Sequence, residues 1–392
     1  MSRLFLTAKE AAAELGVRVE TLYSYVSRGL IRSEPGPGRA RLYAAEDVRA
    51  MRQREHVAGA NMRTGPSEAG EAIRSALTYI DEEGPHYCGR LASELSQHGS
   101  LEATATLLWQ CEGFNPFDRP APRRPLASAP SQLRPVERAM VMLSAWPVVD
   151  RSAYGLHPRI VWGHGVDLCR LVASELVDCV PTALPVAEIM AQGWGVVDPG
   201  ARRLISMALV LSADHELNSS AYAVRVAAST GAPLHAALVA GMGAFLGPGH
   251  GAASERVDHW LSAIAGEDDI GLALEKQLMR AETLPGFGHF LYGAMDPRAK
   301  CLLDAIRCHL PDHAEVERAD AIVTHAEALF GDAPNIDFAL ALLKRVLGLP
   351  EGAGMALFCA GRMAGWIGHA LEQYRSGAHI RPRAIYVGPK GL

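Results

Sequence analysis

Long Ala/Leu-rich segments recur at helical spacing along most of this chain. Leu204 to Leu211, Ala221 to Thr230, Leu340 to Leu347 and Met355 to Tyr374 each read as helix, and strand signals are sparse. Helices with an apolar stripe bury it against one another, so the body is predicted to be mostly α. The 392 residues leave room for two or three domains of roughly 150 residues each. Apolar residues make up 49% and charged residues 21%, which excludes a disordered chain and a collagen-like one. The longest apolar run, Ala236 to Pro248, is interrupted by glycines and falls short of the about 20 residues that span a bilayer. It predicts a buried core helix, and no membrane partner.

The cysteines, Cys88, Cys111, Cys169, Cys179, Cys301, Cys308 and Cys359, are scattered and form no Cys-x-x-Cys pair. That pattern points to a reduced, cytoplasmic setting and against a zinc site. The first residues carry only a short apolar run before Thr7 and Lys9, unlike a signal peptide.

Charge is uneven. The whole chain carries -5, yet residues 1–56 hold ten Arg/Lys against seven Asp/Glu, hence +3, leaving -8 for the rest. Within that basic segment Thr7-Ala8-Lys9-Glu10 has the spacing of a capping box and predicts a helix with Ala11, Ala12 and Leu15 inward. Gly16 allows a turn, and a second helix follows from about Val19 to Arg28 with Leu22, Tyr25 and Val26 inward. Gly29 to Arg32 and Gly36 to Tyr43 read as a hairpin or wing, and a last helix begins near Glu46. The segment resembles the MerR-like and excisionase-like winged helix-turn-helix domains. Leu15-Gly16-Val17, Arg28-Gly29-Leu30, Leu42-Tyr43 and Glu46-Asp47-Val48 carry that resemblance. It implies a recognition helix lined by Arg18, Thr21, Ser24 and Arg28, with Arg39 and Arg41 on the wing reaching phosphates or the minor groove. The competing reading is a module that only packs on the body or mediates assembly, because +3 is modest where phosphate neutralisation supplies most of the affinity. Residues 57–69, rich in small and turn-forming types, read as a linker, and Phe114 to Pro135 as a proline-rich surface excursion.

Three histidines stand apart by context. His250 lies in Gly247-Pro248-Gly249-His250-Gly251, ahead of a helix expected over Ala252 to Leu261, where the helix dipole favours neutral imidazole. His289 ends Pro285-Gly286-Phe287-Gly288-His289, a loop whose glycines let backbone approach a ligand, and Asp296-Pro297-Arg298 follows. His215 sits in Ala213-Asp214-His215-Glu216-Leu217-Asn218. A metal there is disfavoured, because adjacent residues point apart on a helix.

These segments resemble the citrate synthase family. The resemblance is carried by Ala213 to Asn218 with Ser220 and Arg225 to Thr230, by Gly247 to Glu255, and by Gly286 to His289 with Tyr292 and Asp296 to Ala299. It continues through Asn335-Ile336-Asp337-Phe338, through Arg362, Gly365-Trp366, His369 and Leu371-Glu372-Gln373, and through Arg381-Pro382-Arg383 with Tyr386-Val387-Gly388. It covers about residues 70 to 390 and implies a large helical domain (70–250 and 343–392) and a small lid domain (251–342) behind the winged module of residues 1–56. The implied reaction joins oxaloacetate to acetyl-CoA, or to propionyl-CoA to give 2-methylcitrate. It needs a base for a weak carbon acid and a donor for the developing oxyanion. By that resemblance Asp337 is the base, His250 donates to the thioester oxygen, His289 polarises the ketone, and His215 is a further oxaloacetate contact. Arg298, Arg362 and Arg381 match the guanidinium forks for the carboxylates, the last across a homodimer with shared active sites. Pro285, Gly286, Phe287 and Gly288 fall in the CoA-binding loop. Neither a metal nor a cofactor is implied, CoA being carried by the substrate.

Departures from the family pattern are Phe290 where many bacterial members have Arg, Gly249 for Leu, Ser254 for Asn, Cys88 for Arg, and Ala339-Leu340 where larger polar residues are frequent. The Gly249 and Ser254 changes are expected to loosen the His250 loop. The alternative function, from a different class, is a DNA-binding regulator that keeps the oxaloacetate and acyl-CoA pocket as a sensor.

Overall fold

The computed structural model describes residues 5–15, 22, 26, 31–36, 41–45, 47–48, 73–111, 113–267, 269–280, 282–292 and 295–388. The chain forms two compact units, Met1–Glu68 with Lys276–Thr283, and Ala69–Glu275 with Leu284–Leu392.

In the first unit the Thr7/Glu10 capping box closes reciprocally. Glu10 N–H donates to Thr7 Oγ1 at 3.3 Å and Thr7 N–H to Glu10 Oε2 at 2.9 Å, at the start of the helix Ala8–Leu15. Strands β1 (Phe5–Thr7), β2 (Ser33–Pro35) and β3 (Arg41–Ala44) make an antiparallel sheet ordered β1-β3-β2, with Thr7 opposite Leu42 and Pro35 opposite Arg41. The β2/β3 pair is the wing that the glycines predict. Strand β1 is too short to announce itself by alternation. Leu6, Ala11, Ala12, Leu22, Ile31, Tyr43, Ala45 and Val48 form a small core of their own. The Arg32 guanidinium and backbone N–H grip Asp47 at 2.8 to 2.9 Å, and these bonds hold its carboxyl below the usual range. Of the six residues expected to face DNA, Arg41 is exposed at the start of β3; Arg18, Thr21, Ser24, Arg28 and Arg39 lie outside the described residues.

The second unit is helical, as the Ala/Leu spacing requires. Its centre is the helix Ala353–Ser376, in which every residue from Ala353 to Leu371 is buried. A helix apolar on all sides belongs inside a core. Leu101–Leu108, Pro158–Leu176, Pro199–Leu211, Ser219–Ser229, Leu234–Phe245 and Ile336–Val346 all pack against it. Small residues permit that crowding. A side chain at Gly365 would place its Cβ 2.4 Å from the Ala213 carbonyl oxygen, which accepts the Gly365 N–H at 3.0 Å. The chain after helix Pro199–Leu211 is thereby drawn onto the central helix, just before His215.

A meander not legible in the sequence, β4 (Thr78–Asp81), β5 (Gly84–Tyr87) and β6 (Arg90–Leu91), lies at the start of this unit. Cys88 occupies its second turn with φ of 47°, and its N–H donates to Leu77 O at 2.7 Å. The proline-rich stretch has no helix or strand among its described residues before Pro135. It is moored by Arg124, whose Nε and Nη2 bind the buried Glu175 carboxylate at 2.6 and 2.9 Å. The expected core helix appears as Leu234–Phe245, and no helix among the described residues is long and apolar enough to cross a membrane.

Candidate active site

Asp214 anchors the first segment of the site. Fully buried, it accepts Thr78 Oγ1 at 2.6 Å and faces His369 Nε2 at 3.3 Å. Burial would raise its pKa, but the charges of His369 and Arg362 and the bond from Thr78 hold it low. Tyr87 crosses from β5 to bond the backbone at Val210, Leu211 and Asp214 at 3.1 to 3.3 Å. The chain then turns through Glu216, at φ of 54°, and Asn218 caps helix Ser219–Ser229 by accepting from Ser220 and Ala221 N–H. His215 is held between these anchors, buried, with Nε2 2.8 Å from the Tyr292 hydroxyl.

His250 stands on a tied loop. Gly251 N–H donates to Phe245 O and His250 N–H to Gly247 O, each at 2.9 Å. Gly251 has no room for a side chain, because a Cβ would meet the Phe245 ring at 2.3 Å. The expected loosening at Ser254 is offset by its own bond to Gly251 O at 3.2 Å, and Gly249 faces open space. The helix that follows runs Ala253–Ala265. His250 Nε2 lies 2.7 Å from Ser220 Oγ, which also accepts Trp366 Nε1–H at 3.0 Å and sits 2.7 Å from Asn218 Oδ1. The imidazole is neutral because burial, reinforced by Arg362, pushes its pKa down to about 3. Burial and Arg362 thus act in the same direction as the helix dipole that the sequence suggested.

The loop Pro285 to His289 is stitched to the segment before helix Ile336–Val346. Gly288 N–H donates to Ala333 O at 2.9 Å, Asn335 N–H to Gly286 O at 2.8 Å, and Asn335 Nδ2 to Gly288 O at 3.1 Å. Gly286 and Gly288 both take positive φ, 81° and 72°. The Phe287 ring packs edge-on to Phe338 at 5.1 Å and to Trp260 at 6.0 Å. His289 accepts the Leu291 N–H on Nδ1 at 3.2 Å, so its neutral ring carries the proton on Nε2. Burial, aided by Arg298, lowers its pKa to about 4. Phe290, where many bacterial members of the resembled family have Arg, stacks on His289 at 5.0 Å while remaining 77% exposed.

Arg298 and Asp296 form a buried fork. Nε and Nη2 bind the two carboxylate oxygens at 3.0 and 2.7 Å, and Asp296 also accepts the Ile336 N–H at 3.1 Å. Arg362 projects from the central helix with Nε on Ser212 O at 2.8 Å, and its buried Nη2 has no partner among the described residues. Burial lowers its pKa to about 10, so it remains a cation at neutral pH. Asp337 begins helix Ile336–Val346, capped by Asn335, whose Oδ1 accepts the Asp337 N–H at 3.0 Å. Its Oδ1 is shielded and unpartnered among the described residues. Burial lifts its pKa to about 7 against the opposing pull of Arg298, with Asp296 adding to the rise.

His215 feels Arg298, His289, Arg362 and His250 at once, and Asp337 feels Arg298 and Arg362, so these six groups share one electrostatic neighbourhood. Arg381 is not among them. It is exposed in the extended tail that follows Ser376. Ser220, Tyr292, Asp296 and Asn335 stand in the same motifs but carried no assigned role; the last three lie within three residues of a selected residue and Ser220 lies five beyond His215. Away from these groups Asp81, Glu83 and His86 place three potential ligand atoms within 4.8 Å on the β4/β5 hairpin, the one such cluster among the described residues.

Residues 170–383 match the family described as citrate synthase, C-terminal domain, and residues 5–56 match the helix-turn-helix domain. A Mycobacterium tuberculosis protein named putative citrate synthase 2 is 34% identical over 262 residues, which is 64% of this chain and 65% of that protein. The chain thus aligns over 65% of that relative's length. The citrate synthase of Haloferax volcanii is 29% identical over 362 residues, 81% of this chain and 94% of its own. The crystal structure of citrate synthase from Thermotoga maritima matches with a TM-score of 0.69 at 26% identity, covering 83% of this chain and 96% of that one.

Proposed function

The chain belongs to the citrate synthase family, and on that premise we propose that it condenses oxaloacetate with acetyl-CoA or propionyl-CoA and hydrolyses the product thioester. The observation that carries this reading is Asp337: an unpartnered carboxylate oxygen, with a pKa near 7, set among cations and neutral imidazoles. A carboxylate tuned this way is a base matched to neutral pH.

Asp337 takes a proton from the acyl carbon next to the thioester, and His250 donates a hydrogen bond to the thioester oxygen as negative charge develops there. For His250 to donate from Nδ1, Ser220 must give its hydroxyl proton to Nε2. That proton otherwise goes to Asn218 Oδ1 at 2.7 Å, so this step requires the hydroxyl to turn from Asn218 to His250. The enolate carbon then attacks the ketone carbon of oxaloacetate, the C–C bond forming as the C=O π bond breaks, and the ketone oxygen takes the proton of His289 Nε2–H, balanced by the proton that Asp337 has gained. Water finally cleaves the C–S bond, releasing CoA and citrate or 2-methylcitrate. Arg298, with Nη1 left over from its Asp296 fork, and Arg362, with Nη2 unpartnered, suit the two carboxylates of oxaloacetate. His215 adds a neutral contact. The Pro285–Gly288 backbone is assigned to CoA, residues 251–342 to a lid that closes over 70–250 and 343–392, and Arg381 to the site of a second copy in a homodimer. Seven free thiols fit a reducing, cytoplasmic setting. The test is oxaloacetate-dependent CoA release from acetyl-CoA and from propionyl-CoA, with the product identified by mass. One methylene is worth about 1 to 3 kcal/mol in an apolar pocket, so the two efficiencies are expected to differ by roughly 10- to 200-fold.

A second reading is favoured by the helix-turn-helix match and by the basic residues of the winged module. In it the chain binds DNA and uses the oxaloacetate pocket as a sensor, with or without turnover. Binding to duplex DNA should weaken steeply with salt, and Arg41→Ala should reduce the log-log salt slope by about one. Salt-insensitive binding, or none, would remove this reading.

A further inference from the structure

Tyr292 touches three groups of the site and has no assigned role. Three residues beyond His289, it folds back, its N–H donating to His289 O at 3.3 Å, and it is buried. Its ring lies 4.8 Å from the His289 ring and 5.9 Å from Arg298 Cζ, and its hydroxyl lies 2.8 Å from His215 Nε2. Burial pushes the phenol well above its ordinary range and the His215 imidazole well below its own, so both partners in this bond are neutral.

A bond between two neutral groups has two orientations. Either the phenol donates to Nε2 and His215 carries its proton on Nδ1, or Nε2–H donates to the phenol oxygen and Nδ1 bears a lone pair. Among the described residues the Tyr292 hydroxyl has no partner other than His215, and His215 Nδ1 has none. Either orientation leaves one donor and one acceptor over. The first pairs the stronger donor, the phenol O–H, with the stronger acceptor, the imidazole lone pair, and leaves Nδ1–H for a ligand. The second leaves the phenol proton and the Nδ1 lone pair unmet, the costlier pair to bury.

We propose that Tyr292 is a positioning residue that holds His215 as the Nδ1–H tautomer, so that His215 presents a neutral donor to an oxo-dicarboxylate, a proposal that rests on the oxaloacetate reading for its ligand. Leu291 N–H fixes His289 in the opposite sense, with its proton on Nε2. The two rings, 5.2 Å apart and nearly perpendicular, thus present unlike nitrogens as donors to one small anion. Only neutral donors are added to the charge that Arg298 and Arg362 already supply. A ketone oxygen is polarised by such donors without being protonated before the attack.

The test uses the full chain with 15N-labelled imidazoles and without ligand, the His215 signals being identified by their loss in His215→Asn. The expected result is a protonated Nδ1 and an unprotonated Nε2 in the parent chain, with a mixture of tautomers in Tyr292→Phe, which keeps the ring and its packing. Oxaloacetate affinity by calorimetry, without acyl-CoA, should fall about tenfold in Tyr292→Phe, the loss of roughly one well-made hydrogen bond. A parent chain with its proton on Nε2, or a Tyr292→Phe variant with unchanged tautomer and unchanged affinity, overturns the proposal. The tautomer is read without turnover, so a chain that fails to release CoA would contradict the functional reading and leave this result standing.

Discussion

At the residue scale the site works by separating charges. Two arginines and the carboxylates of Asp296 and Asp337 carry charge, while His250 and His289 are kept neutral by burial, with pKa values near 3 and 4. Only Asp337, near 7, and Arg362, near 10, change charge in the working range. A base acts in its ionised form, so kcat/KM for acetyl-CoA is expected to rise as pH increases through about 7, and to fall as Arg362 loses its proton towards 10. A pH–rate profile checks this; an acid limb near 4 would mean that an unperturbed carboxylate does the work. The identities of these residues were legible in the sequence, since His250, His289 and Asp337 stand in ordered motifs. Their states were not. Neutral His250 was expected from a helix dipole, and burial beside Arg362 pushes the same way, a cause that depends on the central helix far away in sequence. The Ser220 hydroxyl was invisible for a related reason, because its partners His250 and Trp366 are fixed only by the fold.

Among the elements, the loop Pro285 to His289 is the piece on which most depends. Its glycines allow two positive-φ turns, and its backbone bonds to the cap of helix Ile336–Val346, so His289 and Asp337 are held on one hydrogen-bonded unit. Gly286→Ala should be costly. The position has φ of 81°, and a Cβ would lie 2.9 Å from Val257 Cγ2 and 3.0 Å from Phe338 Cβ. Strain of this kind amounts to about 1 to 3 kcal/mol, so denaturant unfolding should register that loss together with reduced turnover. Gly249→Ala is the contrast, since nothing lies within 4 Å of its Cβ, and its unfolding midpoint should match the parent. Equal effects at the two glycines would show that crowding is not what sets Gly286. The long helices were legible because their Ala/Leu period persists over many residues. The short strands β1 and β4 to β6 were not, because two to four residues give alternation too little length.

At the scale of the whole molecule, the change of charge near residue 56 coincides with the end of the helix-turn-helix match, and the helical body carries the citrate synthase match. The place proposed for Arg381 in a second copy's site would tie activity to assembly. The residue is exposed in its own chain, so that proposed place predicts complementation. Mixing inactive Asp337→Ala with inactive Arg381→Ala under conditions of subunit exchange should restore activity, because each mixed dimer then has one site with both residues intact. No recovery despite confirmed exchange would place Arg381 in its own chain's site or outside any site. The most direct measurement remains CoA release by the purified full chain given oxaloacetate and acetyl-CoA, beside Asp337→Ala of matched fold. Loss of a general base typically costs about 10²- to 10⁴-fold. The account predicts release that requires oxaloacetate and falls by about that factor in the variant. A folded chain that releases no CoA, or a variant that releases it as fast as the parent, would contradict it.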